Sequence, residues 1–131
     1  MKITLKKSDV FIPDYGNNLE LPEDEQLKFH IQFLGASRRQ QFVYLEDIEI
    51  TQEIAEGAGQ VGNRKLIQDS KGMARAMVTG IDNLEIEYDN GETAKVTSIT
   101  DFYNRPIDPV LVALLEEYCL NATAEVDTKN S

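Results

Sequence analysis

Two stretches of the chain alternate between apolar and polar residues. From residue 27 to residue 33 every second side chain is apolar, and the residues between them are polar. Residues 84–88, with the sequence Leu-Glu-Ile-Glu-Tyr, alternate in the same way. A period of two predicts β-strands that place one face against a core. The Asp-Asn-Gly sequence at 89–91 tolerates the positive φ of a tight turn, so residues 84–96 are expected to form a β-hairpin.

A period of 3.6 residues predicts two longer helices. Between residues 64 and 79 the apolar side chains fall on one face, Asn63 can cap the start, and Gly80 is placed to end the helix in a left-handed conformation. Residues 110–120 carry apolar side chains on more than one stripe. That distribution is typical of a helix that is buried on two sides or docked to a partner.

Two shorter helices are also expected. Ser37 is a candidate N-cap for a helix over residues 38–45, although two arginines in its first turn oppose the helix dipole. Ser98 or Thr100 can cap a short helical segment that runs through Tyr103.

These elements predict an α+β fold, with a small antiparallel sheet that contains a β-hairpin and packs against two to four helices. The strand at 27–33 and the hairpin at 84–96 are expected to share one sheet. The helices at 64–79 and 110–120 are expected to cover its apolar face because all four elements are amphipathic.

Composition indicates one globular domain. The chain has 131 residues, of which 41% are hydrophobic and 27% charged, so residues 1–125 are expected to form a single domain and residues 126–131 a flexible C-terminal tail. A formal charge of −10 argues against binding to nucleic acid. No apolar run approaches the roughly 20 residues of a membrane span, so no membrane partner is expected. The single cysteine, Cys119, excludes an intramolecular disulfide and fits a reducing cytoplasm.

A glycine motif raises the possibility of a nucleotide site. Residues 46–54 fit either a strand or a helix. Residues 57–62 match G-x-G-x-x-G, and Asp82 lies about as far along the sequence from them as the acid that binds the ribose in such motifs. The motif requires a buried parallel strand before it, whereas Glu53 and Glu56 occupy that place. A flexible connector is therefore the better interpretation, and no cofactor is expected.

Other candidate chemistry has an ordinary structural explanation. His30 lies on the polar side of a predicted strand, where a solvated residue is more plausible than a base or a metal ligand. Cys119 lies in an apolar helix and is expected to fill the core. The acidic residues at 20–25 lack the ligand spacing of a calcium loop. The sequence therefore predicts no catalytic or metal site, and we expect that the protein is not an enzyme.

Two sets of side chains are candidates for binding a partner. Three basic residues share the polar face of the helix predicted at 64–79, where they are either solvated or paired with the acidic surface of another copy. The apolar and aromatic residues near the last helix are more than one sheet face needs. Phe102 and Tyr103, which precede the proline break, are expected to be more available to a partner than Leu111 and Leu115. The candidates are Arg64, Lys71, Arg75, Phe102, Tyr103, Leu111, Leu115 and Tyr118.

The order of these segments resembles the tail assembly chaperones of long-tailed bacteriophages and prophages. The resemblance is carried by residues 11–26 leading into the strand at 27–33, by residues 64–86, and by the closing helix with its polar Thr-Lys-Asn end at 128–130. Residues 46–62 match no part of that pattern.

The resemblance implies a non-enzymatic protein of the bacterial host cytoplasm. Such chaperones hold the tape-measure protein soluble and assist the polymerisation of tail-tube subunits around it, so these two proteins are the implied partners, with a homo-oligomer also possible. The alternative is a structural minor tail or head–tail connector component that is retained in the virion. The family offers no motif residues that could be carried over as a site.

Overall fold

A computed structural model describes residues 1–47, 64–122 and 126–127. The strands are β1 (Thr4–Leu5), β2 (Ser8–Phe11), β3 (Lys28–Gln32), β4 (Val43–Asp47), β5 (Arg64–Gln68), β6 (Val78–Asp82), β7 (Glu85–Glu87), β8 (Thr93–Lys95) and β9 (Val126–Asp127). The helices are α1 (Ala36–Arg39), α2 (Ser70–Met77), α3 (Ile99–Asn104) and α4 (Pro109–Asn121), and two short 3₁₀ turns cover Asn18–Glu20 and Glu23–Glu25. The predicted α+β class is confirmed.

The core lies on one face of an antiparallel sheet with the strand order β2-β3-β6. Phe29 and Ile31 of β3 point inward and are buried, whereas His30 between them faces the other side. Helices α2, α3 and α4 cover the inner face, and the Phe102 ring packs edge-on against Phe29 with 5.6 Å between ring centroids. Because only one face is covered, the sheet shows the alternation of a half-buried strand.

The other strands form three separate pairs. β4 pairs with β5, β7 with β8, and β1 with β9, all antiparallel. The hairpin β7–β8 has the predicted turn, in which Gly91 has a φ of 87°. The hairpin is not part of the main sheet, however, so the prediction of one shared sheet is wrong. The strand β9 falls within the predicted tail.

A buried asparagine closes the long connection between β2 and β3. The Asn18 side chain donates to the carbonyl oxygens of Pro13 (3.0 Å) and Leu27 (3.2 Å) and accepts from the Leu27 amide (2.7 Å). It therefore satisfies three buried backbone groups that a β-sheet cannot reach. These hydrogen bonds hold Pro13 and Leu27, near the two ends of this connection, at the edge of the core.

The prediction of a helix over residues 64–79 is wrong for the first half of that range. Residues Arg64–Gln68 form β5, and the helix begins only after Asp69, whose carboxylate accepts from the Gly72 amide at 2.9 Å. Pairing with β4 gives this stretch a ladder of backbone hydrogen bonds that overrides its helical periodicity. A side chain at Gly72 would collide with the Asp69 carboxylate, so this glycine permits the cap. The expected cap, Asn63, lies outside the described residues.

Two further helix boundaries differ from expectation. Helix α1 covers only Ala36–Arg39, its N-cap is Gly35 rather than Ser37, and the chain then enters β4. Gly80 does not end a helix, because the chain passes from α2 into β6 at Val78. In both places, strand pairing replaces the helical turns that local periodicity predicts.

The C-terminal helix is confirmed. It covers Pro109–Asn121, with Asp108 as its N-cap and Pro109 in the first turn, where a missing N–H costs nothing. Ser98 caps α3 as predicted. Arg39 donates to the carbonyl oxygens of Ala122 (3.0 Å) and Leu120, so a cation sits at the negative end of the α4 dipole.

Replacing Asn18 should destabilise the fold far more than replacing its neighbour. Asn18→Ala leaves three buried backbone groups without partners, which we expect to lower the free energy of unfolding by about 2–4 kcal/mol. Asn17 is exposed and makes no side-chain capping bond, so Asn17→Ala should change it by less than about 0.5 kcal/mol. Urea denaturation of both variants measures the difference, and equal effects would contradict the role assigned to Asn18.

Candidate functional site

Three of the predicted partner-binding residues belong to the core. Phe102 is 0% exposed, and Leu111 and Leu115 are also buried. The expectation that Phe102 is available to a partner is wrong, because the Phe102 side chain fills the space between α3 and the inner face of the sheet. Most of the apolar residues near α4 are therefore used by the domain itself, whereas Val110 at the start of this helix is 59% exposed.

Tyr118 attaches α4 to the edge strand β2. Its ring stacks on Phe11 with 4.4 Å between centroids, and its hydroxyl donates to Asp9 at 2.9 Å. Burial raises the pKa of Asp9, but hydrogen bonds from the Val10 amide and Tyr118, together with Lys6, outweigh burial and leave that pKa below its usual value. These contacts give the Tyr118 side chain a structural role.

Tyr103 is the centre of a polar cluster that joins three helices. Its hydroxyl donates to Glu116 of α4 at 2.8 Å, and Ser70 of α2 donates to the same carboxylate at 2.6 Å. The Lys71 ammonium and the Arg75 guanidinium lie over the Tyr103 ring, 5.1 Å and 5.3 Å from its centroid, which is within cation–π range. Burial, and then the Glu116 carboxylate, raise the pKa of Tyr103 well above its usual value.

The predicted basic stripe is therefore divided. Lys71 and Arg75 share the Tyr103 ring, whereas Arg64 lies on β5 and its Nε is 3.3 Å from Asp47 Oδ1. The separation follows directly from the strand conformation of residues 64–68, which removes Arg64 from the helix.

An exposed pair of strands, β4 and β5, is the surface that sequence reasoning missed. We call it the ribbon. Its exposed large apolar side chains are Tyr44 (43% exposed), Leu45 (58%) and Leu66 (54%). Among the described residues, the ribbon contributes no side chain to the buried core.

The ribbon is anchored to the domain only at its base. Val43 and Phe42 pack against the core, and the Asp69 amide donates to the Phe42 carbonyl oxygen at 2.7 Å. An isolated two-stranded sheet is marginally stable in water, and its outer edges present unpaired backbone groups. The β-branched and aromatic residues at 43–44, with Asp69 as the better helix cap, were the sequence signals for this element.

The outer face of the main sheet carries a histidine and an aspartate. His30 Nε2 lies 2.7 Å from Asp82 Oδ2, and both side chains are substantially exposed. Beside them is an open depression of about 620 Å³ whose lining includes Lys7, Asp9 and Thr79. The predicted position of His30 on the polar side of its strand is confirmed.

Residues 1–47, 64–122 and 126–127 contain no group of three or more His, Cys, Asp or Glu side chains that could hold a metal ion. None of the helices described above has the length and apolar character needed to cross a membrane. The glycine motif at 57–62 lies outside the described residues.

Cys119 should react with a thiol reagent only when the domain opens. The side chain is buried in α4, and burial, followed by the nearby Glu116 carboxylate, raises its pKa to about 12. Ellman's reagent at pH 8 should therefore modify the native protein at its opening rate and the urea-unfolded protein at once. The control is the double variant Cys119→Ala/Glu117→Cys, with an exposed thiol on the same helix that should react immediately. Immediate reaction of native Cys119 would contradict its burial.

The chain was compared with known proteins at three levels. No protein-family model matches it, no curated protein is detectably similar in sequence, and no solved structure is detectably similar in fold.

Proposed function

We propose that this protein is a non-enzymatic tail assembly chaperone of a bacteriophage or prophage, which binds the tape-measure protein and tail-tube subunits while the tail is built. The order of segments described above supports the assignment to this class. The observation that carries a binding role is the ribbon, where Tyr44, Leu45 and Leu66 are exposed on strands outside the core.

A chaperone needs apolar surface that is available before its client arrives. The ribbon meets this requirement because large apolar side chains are exposed on both of its faces, with Tyr44 on one face and the directly opposed Leu45 and Leu66 on the other. Large apolar side chains exposed outside the core are typical of sites that bind other proteins. Within the described residues β4 and β5 pair only with each other, so an outer edge of the ribbon can accept an extended segment of a client as a further strand.

The charge of the whole chain suits this role. A net charge of −10 disfavours aggregation of a protein that exposes apolar side chains. Charged residues follow the apolar part of the ribbon at one end, with Glu46 and Asp47 on β4 opposite Lys65 and Arg64 on β5. The ribbon therefore presents exposed apolar side chains next to charged ones, a combination found in many protein interfaces.

Co-expression with the tape-measure protein of the same phage or prophage tests the proposal. Wild-type chain should keep that protein soluble, and Tyr44→Ser should lower the soluble yield at least about fivefold if the side chain contributes more than about 1 kcal/mol to binding. The matched control is Val110→Ser, which removes an exposed apolar side chain from α4 and should leave the yield unchanged.

Two outcomes would contradict the proposal in different ways. Equal recovery of soluble tape-measure protein with and without the chain would exclude the chaperone role. Equal recovery with wild type and with folded Tyr44→Ser would exclude only the ribbon as the binding surface. Detection of the chain in purified virions by immunoblot would instead favour the structural tail or connector component.

A further inference from the structure

The ribbon has two faces with different side chains. Directly opposed residues in an antiparallel pair project to the same side, and successive residues alternate. Leu45 is opposite Leu66, and Asp47 is opposite Arg64, so these four residues share one face with Val43 and Gln68. We call this the leucine face. Tyr44 lies on the other face.

Charges on the ribbon are segregated by strand. Both acidic residues, Glu46 and Asp47, belong to β4, and both basic residues, Arg64 and Lys65, belong to β5. Asp47 and Arg64 form an ion pair across the leucine face, yet their side chains remain 84% and 62% exposed. Each of these charges is therefore accessible to a second partner.

This pattern is complementary to itself. Rotation by 180° about an axis parallel to the strands exchanges the positions of β4 and β5 and keeps every residue at its level along the ribbon. The leucine face of a second copy would then bring its Arg64 over Asp47 and its Leu66 over Leu45. A two-fold axis perpendicular to the strands, lying between the two faces, would instead place the second copy's Arg64 over Gln68, which carries no charge.

We propose that two copies of this chain associate through their leucine faces about a two-fold axis parallel to the strands, so that Leu45 packs on the partner's Leu66 and Asp47 pairs with the partner's Arg64. Each contact occurs twice, as in any isologous interface. The dimer covers Leu45 and Leu66 and leaves Tyr44, on the opposite face, available to a client, so association between copies can be measured without the tape-measure protein.

The size of the ribbon sets the strength of this association. Strands of five residues extend about 17 Å, so the face is much smaller than a standard protein interface. We therefore expect weak, concentration-dependent dimers. At about 0.15 M salt, the Debye length of about 8 Å screens the repulsion between distant acidic residues, whereas the contacting ion pairs are screened less.

Charge reversal distinguishes contacts between copies from contacts within one copy. Asp47→Arg places an arginine over the partner's Arg64, and Arg64→Asp places an aspartate over the partner's Asp47, so each variant alone should associate at least about tenfold more weakly than wild type. An equimolar mixture of the two variants restores opposite charges at both contacts. The double variant Asp47→Arg/Arg64→Asp restores them in a homodimer and also keeps the pair within each copy.

Sedimentation velocity between about 10 μM and about 1 mM measures these equilibria. The mixture and the double variant should return to the wild-type association, and thermal melts should show that all variants are folded. Leu66→Ser should abolish dimers, while the matched control Leu19→Ser, which removes an exposed leucine far from the ribbon in sequence, should not.

Three outcomes would overturn the proposal. Wild-type protein that stays monomeric at the highest concentration tested would show that the leucine face does not bind a second copy. A mixture that remains as weakly associated as its components would show that Asp47 and Arg64 pair only within one copy. Equal weakening by Leu66→Ser and Leu19→Ser would remove the leucine face from the interface. None of these results bears on recovery of the tape-measure protein.

Discussion

The structure depends on burying one face of a three-stranded sheet. Phe29 and Ile31 of β3 form the centre of that face. Their side chains are buried only when the three helices pack over the sheet. Burial of apolar surface is the main favourable contribution to folding, so every element that reaches this face is held firmly. Elements that do not reach it depend on other interactions.

Polar contacts fix where the helices and connections attach to this core. Asn18 closes the connection between β2 and β3, and Arg39 donates to backbone carbonyls at the C-terminal end of α4. The Glu116 carboxylate accepts hydrogen bonds from a hydroxyl of α2 and a hydroxyl of α3. Each contact satisfies backbone or charged groups that would otherwise be desolvated without a partner. The helices around Tyr103 are thereby fixed relative to one another, which explains why the aromatic residues expected at an interface have structural roles.

The sequence predicts the elements that local signals and the core determine together. The strand around Phe29, the hairpin turn at Gly91 and the helix after Asp108 have strong periodicity, turn chemistry or capping, and each forms as expected. The α+β class follows from the same signals. The leucine and isoleucine of the stretch 64–68 also fit a helical face, so only pairing with β4 decides that this stretch is a strand.

The candidate site could be predicted only in part for the same reason. Lys71, Arg75 and Tyr103 come together because α2 and α3 are adjacent in space, which no local pattern reveals. Tyr44 and Leu66 are exposed because their strands pair with each other rather than with the main sheet. Long-range pairing is thus the information that a single sequence lacks here.

The central claim is that the ribbon lies outside the core and is available to bind other proteins. Amide hydrogen exchange of the dilute free protein tests this most directly, because protection reports the local free energy of opening. We expect amides in β4 and β5 to exchange at least about tenfold faster than those in β3 and β6. Equal protection of the ribbon and the main sheet in dilute protein would contradict the claim.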